Sequence, residues 1–298
     1  MKSFQFSFEA IGTAWVIDIF DHVVATDQQK LVDQVKERID VYDSVYSRFR
    51  SGSVVQTMAK REGEYTLPRD SKELLTLYHK LYTLTDGAFT PLIGDVLEDT
   101  GYDAAYSLKP KAAIRTALPW DEVIDFHFPK MYIKKPALLD FGAAGKGQLV
   151  DLVGRVLELA GYSSYCVDAG GDILYKSMQK EPLRIGLEHP VNLKQVIGVV
   201  EVTYGSICGS AGNRRKWDKF HHIIDPRTNT SPDTIQSVWV IAKKAILADA
   251  LTTALYFTSA EKLSENFEFE YAMLYKDFTL KKSDNFPGEI FYNTPKTQ

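Results

Sequence analysis

The segment Ser210-Ala211-Gly212-Asn213-Arg214-Arg215-Lys216-Trp217 runs closely into His221-His222-Ile223-Ile224-Asp225-Pro226-Arg227-Thr228, so hydroxyl, amide, cationic, imidazole and carboxylate groups crowd one short stretch. Guanidinium and ammonium groups neutralise a pyrophosphate, and a neutral imidazole beside a carboxylate can take the proton from an attacking hydroxyl. Each part also has a plain structural account. A short basic run is usually a solvated turn, and a lone histidine usually supports a core. Adjacent His221 and His222 on an extended segment point to opposite faces, so only one of them is expected to face a site.

A second group lies in Ala248-Asp249-Ala250-Leu251-Thr252-Thr253-Ala254, where Asp249 and Thr253 are four apart and share one face of an otherwise apolar helix. A carboxylate buried there costs several kcal/mol unless a cation or dense hydrogen bonding meets it (of order 3–5). Hard oxygen donors suit Mg2+. The plain account has Asp249 capping a neighbouring loop and Thr253 bonding its own helix carbonyl. Two glycine-rich stretches complete the set. Gly142-Ala143-Ala144-Gly145-Lys146-Gly147 joins a strand to a helix, where backbone amides and Lys146 could meet an anion, although a tight turn explains it as well. Val167-Asp168-Ala169-Gly170-Gly171-Asp172 ends an apolar strand; its carboxylates either take ribose hydroxyls or cap a hairpin turn.

The elements that position these groups read as follows. Residues 3–20 form a hairpin around Ile11-Gly12-Thr13, and Asp27 to about Phe49 forms an amphipathic helix with Leu31, Val35, Ile39, Tyr42 and Val45 inward. Ser71 caps a second helix that ends at Asp86-Gly87, and Phe89-Thr90-Pro91 starts extended. Residues 100–120 are mostly loop with at most one short helix. Strands follow near 123–128 and 131–133, then a helix opens at the glycine-rich turn and ends near Gly161. Strands at 164–168, 172–176, 184–187, 196–203 and 237–242, and a last buried helix from Ala245 to about Phe257, make a largely antiparallel second half. The layout is α+β, with no linker long enough to separate independent domains and no internal repeat.

Bulk properties narrow the class. With 35 basic and 39 acidic residues, the formal charge of -4 gives no field to attract nucleic acid or an anionic membrane. The two cysteines, Cys166 and Cys208, lack metal-ligand spacing and leave at most one disulfide open. The start MKSFQFSFEA has neither a signal-peptide core nor a lipid-attachment cysteine, and no stretch has transmembrane length, so a cytoplasmic protein is expected.

Taken in order, these segments resemble the ApbE family, the FAD:protein FMN transferases, from about Ile11 to Phe257. The family's DLGGIAKGYAVD is similar to Asp140–Asp151, its NLGGD to Asp168–Asp172 and its TSGNY to Ser210–Arg214; HHIIDPRT stands unaltered at His221–Thr228, and ADALATA appears as Ala248–Ala254. The chain departs from the family at Ile11 for Met, Thr90 for Asp, Arg214 for Tyr, Asn229 for Gly, and across Ser53–Ala59. The resemblance implies a T-fold-like α+β architecture of largely antiparallel sheets with packed helices, one domain over 1–298 or two closely packed subdomains. It implies FAD as substrate in a cleft, with Mg2+ held by Asp249, Thr253 and the carbonyl of Gly145, and His222 as base. The implied FAD contacts are Ile11, Gly12, Thr13, Ala88, Phe89, Thr90, Lys146, Asp151, Gly170, Gly171, Ser210, Asn213 and Arg214. The implied reaction moves FMN onto a Thr or Ser hydroxyl of a target flavoprotein with release of AMP. Two alternatives stay open at this point: a Mg2+-dependent FAD pyrophosphatase that uses water, and a non-catalytic flavin-binding module.

Overall fold

The structure is a computed structural model that describes residues 4–192, 194–213 and 215–291. Phe4, Phe6 and Phe8 alternate with polar residues along β1 (Phe4–Ala10), which turns at Ile11-Gly12 and pairs back as β2 (Thr13–Ile19). Ile11 and Gly12 both take positive φ, 47° and 74°, as in the hairpin turns whose twist matches that of the strands. α1 (Ala25–Tyr46) buries Leu31, Val35, Ile39, Tyr42 and Tyr46 at helical spacing. After α2 (Val54–Met58) and β3 (Gly63–Thr66) comes α3 (Ser71–Leu84), with Leu74, Leu75, Tyr78 and Leu81 inward.

Ser71 is not the cap of that helix. Asp70 holds the cap position without a side-chain cap bond, because its carboxylate receives the Tyr46 hydroxyl at 2.6 Å and pairs with Arg38. Thr90 caps a short 3-10 turn at Pro91–Ile93, followed by α4 (Gly94–Asp99), α5 (Trp120–Val123), β4 (Ile124–His127) and β5 (Lys130–Ile133). The rest of the chain supplies α6 (Gly145–Leu159), β6 (Tyr165–Ala169), β7 (Asp172–Lys176), β8 (Leu183–Glu188), β9 (Val196–Val202), β10 (Tyr204–Ala211), β11 (Lys216–Trp217) and β12 (Phe220–His221). It closes with β13 (Ile235–Ala242), α7 (Ala245–Ala254), α8 (Ala260–Ser264), β14 (Glu270–Tyr275), β15 (Leu280–Lys282) and β16 (Gly288–Ile290).

An 8-stranded sheet in the order β1-β2-β6-β7-β10-β13-β14-β15 organises the molecule, and every neighbouring pair in it is antiparallel. Both of its faces are covered. Tyr165, Val167, Val238, Val240 and Met273 join the core beneath α1, α6 and α7, while Cys166, Ile173, Trp239 and Leu274 point to the other face, against the small sheet β16-β9-β8. Two-sided burial is why these strands read as unbroken apolar runs. The two cysteines fall on opposite faces and both are free, which settles the disulfide question.

Sequence reading misses β3, β14, β15 and β16, and also β10, which is central in the large sheet. Gly205, Ser206, Gly209 and Ser210 dilute its apolar pattern, yet small residues are required there. A Cβ on Gly205 would lie 2.8 Å from the Ala242 carbonyl oxygen, and one on Gly209 would press on Trp239 at 3.1 Å.

Candidate active site

A cavity of about 680 Å³ opens between the two core layers, within the size range of cofactor pockets. Its walls come from the β1–β2 turn, the segment at Ala88–Thr90, the turn before α6, the β6–β7 turn, the end of β10 and one face of α7. The motif segments, remote in sequence, thus meet at one place.

One close junction is where α6 crosses α7. A Cβ on Gly147 would sit 2.2 Å from the Ala245 carbonyl oxygen and 2.6 Å from the Asp249 Cβ, so only glycine permits this approach. The approach lets Gly147 N–H donate to Asp249 Oδ2 at 2.8 Å. Asp249 Oδ1 and the Thr253 hydroxyl take no hydrogen bond among the described residues, and both residues line the cavity. Instead it is Thr252 that bonds back to its helix, donating to the Asp249 carbonyl at 2.6 Å. With its proton so used, Thr252 accepts from Ser210 Oγ at 2.8 Å, which leaves Ser210 presenting acceptor lone pairs to the cavity. Burial, reinforced by the neighbouring Asp172, pushes the Asp249 carboxyl well above the usual carboxylate range; Lys146 opposes this.

Lys146 lines the same wall. Burial lowers its pKa, but the Asp172 and Asp249 carboxylates together outweigh that, and the ammonium stays charged, 2.7 Å from Asp172 Oδ2 and 3.3 Å from the Ala169 carbonyl. The anion-cradle reading of the glycine-rich turn does not hold for most of its amides. Gly142 N–H goes to Asp140, Ala144 and Gly145 N–H go to Phe141, and Gly147 N–H goes to Asp249. Positive charge near this turn therefore comes from a side chain.

The short β11–β12 hairpin presents the histidines. His221 is structural: Nδ1 accepts from Ile223 N–H at 3.2 Å, so Nε2 carries the proton and donates to the Pro232 carbonyl at 2.8 Å. His222 turns the other way into the cavity, and its Nδ1 is buried without a partner. Burial, with Arg215, His221 and Lys146 adding to it, pulls its pKa down to about 3, so the imidazole is neutral throughout the physiological range. His222 N–H donates to the Arg215 carbonyl, and the Arg215 guanidinium reaches the Tyr102 hydroxyl at 2.9 Å across the cavity rim.

Of the expected FAD contacts, Gly12, Thr13, Ala88, Phe89, Thr90, Lys146, Gly170, Gly171, Ser210 and Asn213 line the cavity with His222, Asp249 and Thr253. Two expected contacts and the expected metal carbonyl lie elsewhere. Ile11 is exposed at the tip of its hairpin, off the wall. Asp151 is one turn further along α6, where its two oxygens accept Ala245 and Ile246 N–H at 2.9 Å each and hold the start of α7. Gly145 is buried behind the wall, beside Tyr42 and Phe141. Arg214 lies outside the described residues.

The model of the family described as the ApbE family matches residues 11–273. The chain belongs to the ApbE family. Relatives within ApbE include the FAD:protein FMN transferase of Escherichia coli (strain K12), 22% identical over 304 residues that cover 93% of this chain and 84% of that one. The protein of the same name from Vibrio cholerae is 26% identical over 253 residues, covering 80% and 74%. Among solved structures, the flavin transferase ApbE from Vibrio cholerae aligns with a TM-score of 0.79 at 21% identity, covering 96% of this chain and 98% of that one. The ApbE protein from Thermotoga maritima gives 0.77 at 21% identity over 96% and 98%. This likeness establishes the ApbE fold, including the covered antiparallel sheet.

Sequence reasoning missed the support beneath this ApbE cleft. Arg48, with a side chain only 1% exposed, pairs with the cavity-lining Asp140 at 2.6 Å, donates to the Tyr102 carbonyl at 2.8 Å, and lies 4.0 Å from the Phe49 ring centroid. No local pattern around Arg48 points to a partner so far along the chain. Tyr102 sits in a stretch read as mostly loop.

Proposed function

We propose that this chain transfers FMN from FAD to a Ser or Thr hydroxyl of a target flavoprotein. The observation that carries the reading is that His222, with an unpartnered buried ring nitrogen, faces the same cavity as Asp249 and Thr253. A neutral imidazole with a free lone pair is a competent proton acceptor. Asp249 and Thr253 offer hard oxygen donors with coordination unspent, which fit Mg2+, an ion commonly held by one or two carboxylates together with substrate phosphates. When bound, Mg2+ would offset the charge of the FAD diphosphate.

The chain's own residues do the rest. His222 takes the proton of the acceptor hydroxyl as that oxygen bonds to the FMN-side phosphorus, the bridging P–O bond to the adenylate breaks, and AMP departs. Lys146 and Arg215 add fixed positive charge beside the path, so the catalysis is chiefly positioning and electrostatic. The relatives named FAD:protein FMN transferase support this choice of substrate. The test is to incubate the protein with FAD, Mg2+ and candidate acceptor flavoproteins and weigh the acceptors by mass spectrometry. A covalent FMN adduct that disappears in Asp249→Asn supports the proposal. FAD cleavage to free FMN and AMP with every acceptor unmodified would replace it with hydrolysis.

A further inference from the structure

Lys146 immediately precedes Gly147, the residue whose N–H holds Asp249, so a buried carboxylate with a spare oxygen lies beside the root of a charged side chain. An ammonium settled on that oxygen would occupy the place of a divalent cation. It is held elsewhere. Its nitrogen lies 2.7 Å from Asp172 Oδ2 and donates to the Ala169 carbonyl at 3.3 Å, both acceptors belonging to the β6–β7 turn. Asp172 is 1% exposed, and its Oδ2 has no hydrogen bond beyond that ion pair. Its position is fixed by pairing with Ala169 across Gly170-Gly171, whose positive φ values of 64° and 96° close a two-residue turn. Asp168, the other carboxylate of the turn, caps Gly171 N–H at 2.8 Å and leaves Lys146 to Asp172.

We propose that Asp172 is a positioning residue: it pins the Lys146 ammonium on the β6–β7 turn and so keeps Asp249 free to bind a divalent cation. The inference rests on the metal reading above. Charge counting gives its sign. With both aspartates ionised, as divalent binding requires, Asp172, Asp249 and Lys146 sum to one net negative charge; without Asp172 the sum is zero and the freed ammonium takes the remaining carboxylate.

The test measures Mn2+ affinity of the full chain without FAD, by electron paramagnetic resonance, in wild type, Asp172→Asn, Lys146→Met, the double variant and Asp249→Asn. Asp172→Asn should weaken Mn2+ at least tenfold, and adding Lys146→Met should restore it to within about threefold of wild type. Lys146→Met should also matter more in the Asp172→Asn background than in wild type, because only there does the ammonium sit on Asp249. Purely additive effects, or a double variant still tenfold weak, would overturn the inference. The double variant is charge-balanced, so it decides the matter even where Asp172→Asn alone fails to fold. Mn2+ binding that is lost in Asp249→Asn but indifferent to Asp172→Asn sinks this inference alone; a wild type that binds no Mn2+ sinks the metal reading as well.

Discussion

His222 shows how a side chain's surroundings decide its chemistry. Held neutral, it can act as a base without first losing a proton, and removing it should strip catalysis while leaving the cavity in place. His222→Ala should keep FAD affinity within a few-fold and slow FMN transfer by roughly 10²–10⁴-fold, measured by equilibrium binding and single-turnover kinetics. The same group affects stability. In the folded chain it titrates near 3, in the unfolded chain near 6.5, so between these values the unfolded state holds a proton that the folded state refuses. Its contribution is present above 6.5 and drains away as the pH falls toward 3. A His222→Gln variant should therefore show a flatter decline of Tm between pH 6.5 and 4 than wild type; parallel curves would contradict the assignment. Local alternation was enough to say that only one of the two histidines faces the site. Which partners Lys146 and Arg48 choose was not legible, because those contacts close only when distant strands come together.

At the scale of elements, two glycine-bearing junctions make opposite predictions. α6 and α7 touch through Gly147, and an added methyl must displace the Ala245 carbonyl or Asp249 itself. Gly147→Ala should cost about 2 kcal/mol of stability, as overpacking does, and weaken divalent binding alongside; denaturant titration with a Mn2+ binding assay reads both. In the β1–β2 turn, Ile11 bears a positive φ of 47°, a conformation that β-branched residues resist. Since it is 37% exposed and buries little, Ile11→Asn should raise stability by about 1 kcal/mol, Asn-Gly being the favoured pair for such a turn. Asp151 carries the lesson in reverse. Its place within a family-like motif suggested a ligand contact, whereas its carboxylate caps the start of α7, so Asp151→Ala should lower Tm by an amount equivalent to about 1–2 kcal/mol. Periodicity located α1, α3 and α6 because each buries one regular stripe, whereas α7 was legible as an apolar helix buried nearly all round. Periodicity failed for β10, whose small residues answer to neighbours across the sheet.

Across the whole molecule, one sheet carries two cores and the cavity lies where their edges meet, so a ligand there touches elements from both layers. FAD with Mg2+ should consequently stabilise the fold as a unit, by about 2.7 kcal/mol at a hundredfold excess over Kd, seen as one cooperative shift in calorimetry. Two separated transitions, only one of them responsive, would refute that coupling. The α+β class and the antiparallel second half were readable from strand spacing; the small covering sheet was only partly so, since β16 pairs with β9 from far along the chain. One detail at the mouth of α6 reaches furthest. Because the Gly147 amide is already spent on Asp249, the helix end that elsewhere would greet a phosphate directly supports instead the carboxylate proposed above to hold the cation. Loading should then follow a sequence, with the divalent ion arriving before the dinucleotide or along with it, and chelator should slow FAD capture rather than merely slow its turnover.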